Sequence, residues 1–180
     1  MFLHVALAIV WLGSGFLLQV LGFKADASRD PVRIQALLDD ADWAAHRLFV
    51  PASLAVFVLG VLLTIEGPWS FGDLWIVLAL VGYALTFATG LFVITPQVRR
   101  ISAVMERDGG MSPAAIAEVR KLFLIGRVDL VVLFAVVADM VLKPTGEDLG
   151  TLITIAAAMV LATALIVWRV RAAAAAPASA

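Results

Sequence analysis

The sequence has no cysteine. Disulfides, thiolate metal ligands and a cysteine nucleophile are thereby excluded. Charge is scarce as well: Asp, Glu, Lys and Arg make up 15% of the chain, against about 25% in ordinary soluble domains. The formal net charge of -1 at pH 7 offers no basic surface of the kind that holds a nucleic-acid backbone, so nucleic acid is not an expected partner. No phosphate-cradling loop, nucleophile elbow or metal-ligand cluster of familiar spacing occurs. No residue is therefore assigned as catalytic or as a metal ligand.

What fills the chain is apolar: 63% of its 180 residues are hydrophobic. A single domain of this length could not hide so much apolar surface from water, and its natural solvent is the lipid bilayer. Five stretches approach the roughly 20 helical residues that cross about 30 Å of hydrocarbon. They run from Phe2 to Phe23, Leu48 to Ile65, Leu74 to Thr95, Leu122 to Leu142 and Leu149 to Trp168. Lys24, Arg29, Arg33 and Arg47 follow the first stretch, and Arg99, Arg100, Arg107, Arg120 and Lys121 follow the third. Arg169 and Arg171 close the fifth, whereas the other two connections contain only Lys143. By the positive-inside rule the N-terminus is outside and the C-terminus cytoplasmic. The first stretch lacks a basic n-region and is longer than an h-region, so it reads as an uncleaved span rather than a signal peptide. The expected architecture is an all-α polytopic bundle of five transmembrane helices in a bacterial-type inner membrane. Residues 1–171 form its single domain, and 172–180 a disordered Ala-rich tail.

The basic connections carry helix signals of their own. Asp30 before Pro31 combines an N-cap with proline at the first helical position. Val32, Leu37, Leu38, Ala41 and Ala45 then approximate one apolar face, suited to lying on the membrane surface. Gly109 and Gly110 interrupt the chain, and Ser112 with Pro113 starts a helix that continues into the fourth span.

That span, "LFLIGRVDLVVLFAVVADMVLKP", holds Arg127, Asp129 and Asp139. Each charge would cost about 2.5 to 3.5 kcal/mol at the bilayer centre. Arg127 lies only about 7 to 8 Å inside the cytoplasmic edge, within reach of the interface by snorkelling. Asp139 precedes Lys143 by four residues, a spacing that allows an ion pair, and is expected to tolerate substitution best. Asp129 is too short to snorkel and has to be neutral, paired across helices or in contact with internal water. Asp129, Val132, Val136, Asp139 and Lys143 form one stripe, which should face other helices. Gln19, His46 and Arg47 are the candidate partners at the depth of Asp129.

In the first span His4, Ala8, Trp11 and Gly15 share a face. Trp11 and Gly15 read as packing residues, since small residues let membrane helices approach closely. His4 reads as a polar cap at the interface or, alternatively, as an axial ligand of haem b. His46 belongs at the opposite end, so a bis-His haem within one chain is not expected.

"LHVALAIVWLGSG", "RLFVPASLAVFVLGVLLTIEGPW", "GLFVITPQVRRI" and "ADMVLKP" together resemble the predicted integral-membrane family known as domain of unknown function 2269, over about Met1 to Pro144. That resemblance implies a membrane bundle and carries no established activity. A first-span His followed by Trp-x-Gly is more distantly similar to the CopD copper-resistance group and to HemJ-type protoporphyrinogen oxidases. The latter resemblance implies a haem-ligand role for His4, although "HRLFVP" departs from the HemJ second-span pattern. Three functional readings follow: a non-enzymatic packing, assembly or transport-associated membrane protein, alone, self-associated or with a membrane partner; a haem-b redox protein using His4; and a proton- or ion-coupled transporter using Asp129 and Asp139.

Overall fold

A computed structural model describes the backbone of residues 1–175 and the side chains of residues 1–172. Its helices are α1 (Phe2–Ser28), α2 (Pro31–Ala44), α3 (Val50–Glu66), α4 (Leu74–Thr89), α5 (Thr95–Asp108), α6 (Pro113–Leu142) and α7 (Leu149–Ala175). No strand occurs among the described residues. In hydrocarbon each backbone N–H and C=O must find a partner inside its own segment, and helices satisfy that condition. The helix starts are set by local chemistry. Asp30 Oδ1 accepts from Val32 N–H at 3.0 Å, and Ser112 Oγ accepts from Ala115 N–H at 3.1 Å, each followed by proline at the first turn. Gly109, at φ 74, takes the left-handed conformation that ends α5. The alanine-rich segment is helical to Ala175, and the remainder of the expected tail, 176–180, lies outside the described residues.

The seven helices make five rods, because α2 runs into α3 and α4 into α5 without a break. Each junction is one π-helical turn, Ala45–Phe49 and Gly90–Ile94. Val50 N–H donates to Ala45 O, and Thr95 N–H to Gly90 O, both five residues back. Each wide turn ends two residues before a proline, Pro51 and Pro96. A proline inside a helix has no N–H to donate, and its ring collides with the carbonyl four residues earlier. A π turn lets that carbonyl swing aside, so the rod continues without a kink large enough to break it. The expected spans from Leu48 and to Thr95 are thus parts of longer rods, Pro31–Glu66 and Leu74–Asp108, of 36 and 35 residues. At 1.5 Å per residue each reaches about 50 Å, well beyond the hydrocarbon.

The excess length gathers at the basic end of the bundle. There Ala25 of α1, Ile34 and Leu37 of α2, Ile101 of α5 and Val119 of α6 form the best-buried apolar cluster, with Leu18, Met105, Ile116 and Phe123 packed around it. The apolar face expected to lay α2 on the membrane is instead turned into this cap. Ile34 and Leu37 are buried, while Val32 is exposed. The physical reason is that three neighbouring rods extend past the membrane and present apolar surface, a better partner than headgroups. Arg120 Nε donates to Asp26 Oδ1 at 2.7 Å, tying α6 to α1, and Gln97 Nε2 donates to the Glu118 side chain and carbonyl, tying α5 to α6. Lys121 and Gln97 together hold the Glu118 carboxyl below its usual range.

Within the bundle α6 is the hub, packing against α1, α4, α5 and α7. α1, the α2–α3 rod, the α4–α5 rod and α7 are each long and apolar enough to cross a membrane, whereas the charges of α6 keep it from meeting that standard by composition alone. Its approach to α4 and α1 depends on glycine. A Cβ at Gly82 would run into Val136 of α6, and one at Gly22 into the Phe123 ring. A Cβ at Gly15 would meet Leu130 at 3.4 Å, an ordinary contact. Gly13, by contrast, faces open space. Gly82→Ala should therefore destabilise the protein by about 1 to 3 kcal/mol through overpacking against a stiff valine, and Gly13→Ala should not. Thermal unfolding of the two variants in the same detergent checks the difference.

Candidate functional site inside the bundle

The acidic stripe of α6 faces another helix, as expected, and that helix is α4. Val136 packs on Gly82, Asp129 lies beside Thr86, and Lys143 reaches Trp75. Gln19, His46 and Arg47 form no hydrogen bond or ion pair with Asp129 among the described residues. The Gln19 amide nitrogen packs over Gly126, one turn away, and His46 hydrogen-bonds to Asp42 O at 3.0 Å at the exposed surface. Thr86 occupies the position next to Asp129 because α4 approaches α6 closely at Gly82, one helical turn earlier.

Asp139 departs most from expectation. It is 4% exposed, and neither carboxylate oxygen has a hydrogen-bond partner among the described residues. The ion pair with Lys143 does not form. Lys143 adopts a left-handed backbone conformation, φ 47, which ends α6 and aims its side chain elsewhere. Its ammonium stands 4.4 Å from the centroid of Trp69 and 5.0 Å from that of Trp75, whose rings meet edge to face. An i,i+4 spacing gives an ion pair only while both residues remain helical.

Other polar groups share the interior. Ser53 of α3 and Tyr83 and Thr86 of α4 lie near the level of Asp129, and the Tyr83 hydroxyl sits beside Ser53. Ser53 Oγ donates to Val50 O at 3.0 Å. Neither the Tyr83 nor the Thr86 hydroxyl closes a hydrogen bond of good geometry, and Gln19 Oε1 is likewise buried without a partner. The Tyr83 ring is fixed by Phe57, stacked at 4.9 Å, and by Trp11, edge-on at 6.0 Å. Trp11 thus holds the one tyrosine in place from α1. Tyr83 and Thr86 carried a signal in the sequence: a lone Tyr and a Thr four residues past Gly82, in an otherwise apolar run. Arg127 is half-buried on α6 and forms no ion pair among the described residues.

His4 stands at the other end of α1 from the basic cap. Its Nδ1 lies 2.9 Å from Val56 O, and its ring edge fits over Gly60, where a Cβ would come within 3.2 Å. The imidazole clasps α1 to α3. A cleft of about 350 Å³ lies beside it, lined by Met1, Leu59, Leu63 and Glu66 among others.

The family model of predicted integral membrane proteins DUF2269 matches residues 1–144, and the chain belongs to that family. The match takes in α1 through α6 and ends before α7. No curated protein and no solved structure matches the chain.

The lysine–tryptophan contact gives a direct test of the geometry at the acidic rim. In a double-mutant cycle, Lys143→Met and Trp69→Leu should couple by about 0.5 to 1 kcal/mol, read from unfolding midpoints. Lys143→Met and Asp139→Asn should show no coupling above experimental error, since the two side chains do not meet.

Proposed function

We propose that this integral membrane protein is proton-coupled, with Asp139 and Asp129 as the groups that take up and release protons inside the bundle. The observation that carries the reading is the Asp139 carboxyl, buried at 4% exposure with neither oxygen hydrogen-bonded to protein among the described residues. Burial without a partner penalises the ionised carboxylate. A carboxyl kept for packing alone would have its oxygens bonded, because an unsatisfied buried polar group costs about 1 to 3 kcal/mol. An ionisable residue inside the membrane with no protein partner is by default a candidate for function. Asp129, Thr86, Tyr83 and Ser53 continue the polar interior deeper into the bundle, as hydroxyl and carboxyl groups that both donate and accept.

The orientation proposed for this activity is N-terminus out, in a bacterial-type inner membrane. Eleven of the 13 Lys and Arg residues lie at the end where the cap forms, and only Lys143 lies at the other. Reporter fusions at Gly109 should score as cytoplasmic and those at Gly67 and Gly146 as external. A cytoplasmic signal at Gly67 inverts the assignment.

A second reading, haem b held by His4, is supported by the imidazole alone. With Nδ1–H donating to Val56 O, Nε2 keeps its lone pair, the arrangement used by metal-bound histidines. A Soret band in purified protein that disappears in His4→Ala supports it, and a colourless protein removes it.

Proton coupling is tested with full-length protein in vesicles loaded with a pH-sensitive dye, under a potassium diffusion potential. Wild-type vesicles should change internal pH faster than protein-free ones, and Asp139→Asn and Asp129→Asn should each abolish the difference. Asp139→Leu should abolish it too while raising stability by about 1 to 3 kcal/mol, because an apolar side chain removes the unsatisfied group. If the Asn variants keep wild-type flux, or wild-type flux equals that of empty vesicles, the carboxyls serve packing and assembly.

A further inference from the structure

At the basic end, outside the acidic stripe, a half-open cleft of about 250 Å³ separates the end of α1 from the start of α6. Asp26, Arg29, Ile34, Pro113, Ile116 and Arg120 line it. We propose that this cleft binds the phosphodiester headgroup of an anionic glycerophospholipid, with Arg29 and Arg120 on the phosphate oxygens and Ile34, Pro113 and Ile116 against the carbon atoms of the headgroup.

Four observations lead there. The first is depth. Asp26 lies three residues past Phe23 and Arg120 two before Leu122, while Arg29 lies six past and Pro113 nine before, so the cleft runs from about 3 to about 14 Å beyond the apolar spans, across the level of headgroups. The second is the state of the arginines. Arg120 is held by its Nε on Asp26 at 2.7 Å, which leaves its terminal nitrogens without a protein partner, and Arg29 has no protein partner for its guanidinium among the described residues. A guanidinium fixed along one edge presents the other as a ready fork for phosphate. The third is charge: two guanidinium groups and one carboxylate leave a single positive charge, matched to a phosphodiester monoanion. Free phosphate near neutral pH carries a second charge. Phosphatidylcholine has the same phosphate with a choline cation attached, which the arginines repel. The fourth is the mixed lining, which suits an organic phosphodiester, with carbon on both sides of its phosphate, better than an inorganic ion. Basic pockets between spanning helices on the positively charged face have this general lipid chemistry.

The test is native mass spectrometry of the purified full-length protein, titrated with phosphatidylglycerol, with phosphatidylcholine of the same chains, and with inorganic phosphate. One phosphatidylglycerol per chain should remain bound in preference to phosphatidylcholine, and Arg29→Ala should reduce that occupancy about fivefold. Arg29 is exposed, so the substitution leaves the fold intact, and Arg120→Lys serves as a second variant that keeps the charge but loses the fork. Arg171→Ala, at the exposed end of α7, should leave occupancy unchanged. Equal retention of both lipids overturns the site. An equal loss in Arg171→Ala reduces the effect to general charge attraction and also overturns it. Phosphate that displaces the lipid at equal concentration would show that free phosphate, not a headgroup, is the ligand.

Discussion

The structure turns on covering the acidic face of α6. Lipid cannot accept Asp129 or Asp139, and no side chain of its own lets α6 neutralise them, so the helix has to be surrounded. It packs against α1, α4, α5 and α7, with the stripe from Asp129 to Lys143 turned toward α4. The close approach is made possible by residues without side chains, Gly82 opposite Val136 and Gly22 opposite Phe123. In hydrocarbon there is no hydrophobic drive to bring helices together. Packing contacts do so, and they grow stronger as backbones come closer. The placement of glycine and the placement of the charges are therefore two halves of one arrangement.

The same economy explains the ends of the bundle. Two rods pass through a proline without breaking because each inserts a π turn, at Ala45–Phe49 and Gly90–Ile94. Continuity carries α2 and α5 beyond the membrane as rigid extensions rather than loops. There they meet the end of α1 and the start of α6 and bury Ile34, Leu37, Ile101 and Val119 together. This cap has a water-facing exterior and an apolar interior, so unlike the spans it is held by the hydrophobic effect. The protein thus combines two kinds of stability in one set of helices, and Asp26 with Arg120 marks the seam between them.

Much of this was legible in the sequence. Five apolar stretches gave five rods, Asp30–Pro31 and Ser112–Pro113 marked helix starts, and Gly109 marked a stop. The 3-4-3-4 spacing from Asp129 to Lys143 placed one face of α6 against its neighbours. The cap was not legible, because an amphipathic helix reads alike whether its apolar face meets lipid or other helices. Nor were the partners of the acids. Depth alone selects Gln19, His46 and Arg47, but which side chains touch depends on helix rotation, and depth says nothing about that. Thr86 and Tyr83 enter only once Gly82 fixes how α4 sits on α6.

Lys143 shows how a small backbone choice determines what the buried acid is able to do. Had α6 continued one more turn, Lys143 would lie on the same face as Asp139 and within reach of it. An ammonium held there would keep the carboxylate ionised through the whole physiological range. Instead the helix ends with Lys143 in the left-handed region, and Pro144, fully buried, prevents its continuation. Trp69 and Trp75 then take the ammonium on their ring faces. Trp69 itself is seated close against Gly67, where a Cβ would collide with the ring. The cation is satisfied without a counter-ion, and the acid four residues away is left without one. A carboxyl in that condition has a neutral and an ionised form whose balance depends on what reaches it from the bundle interior, which is the property a proton-carrying group needs and a structural ion pair lacks.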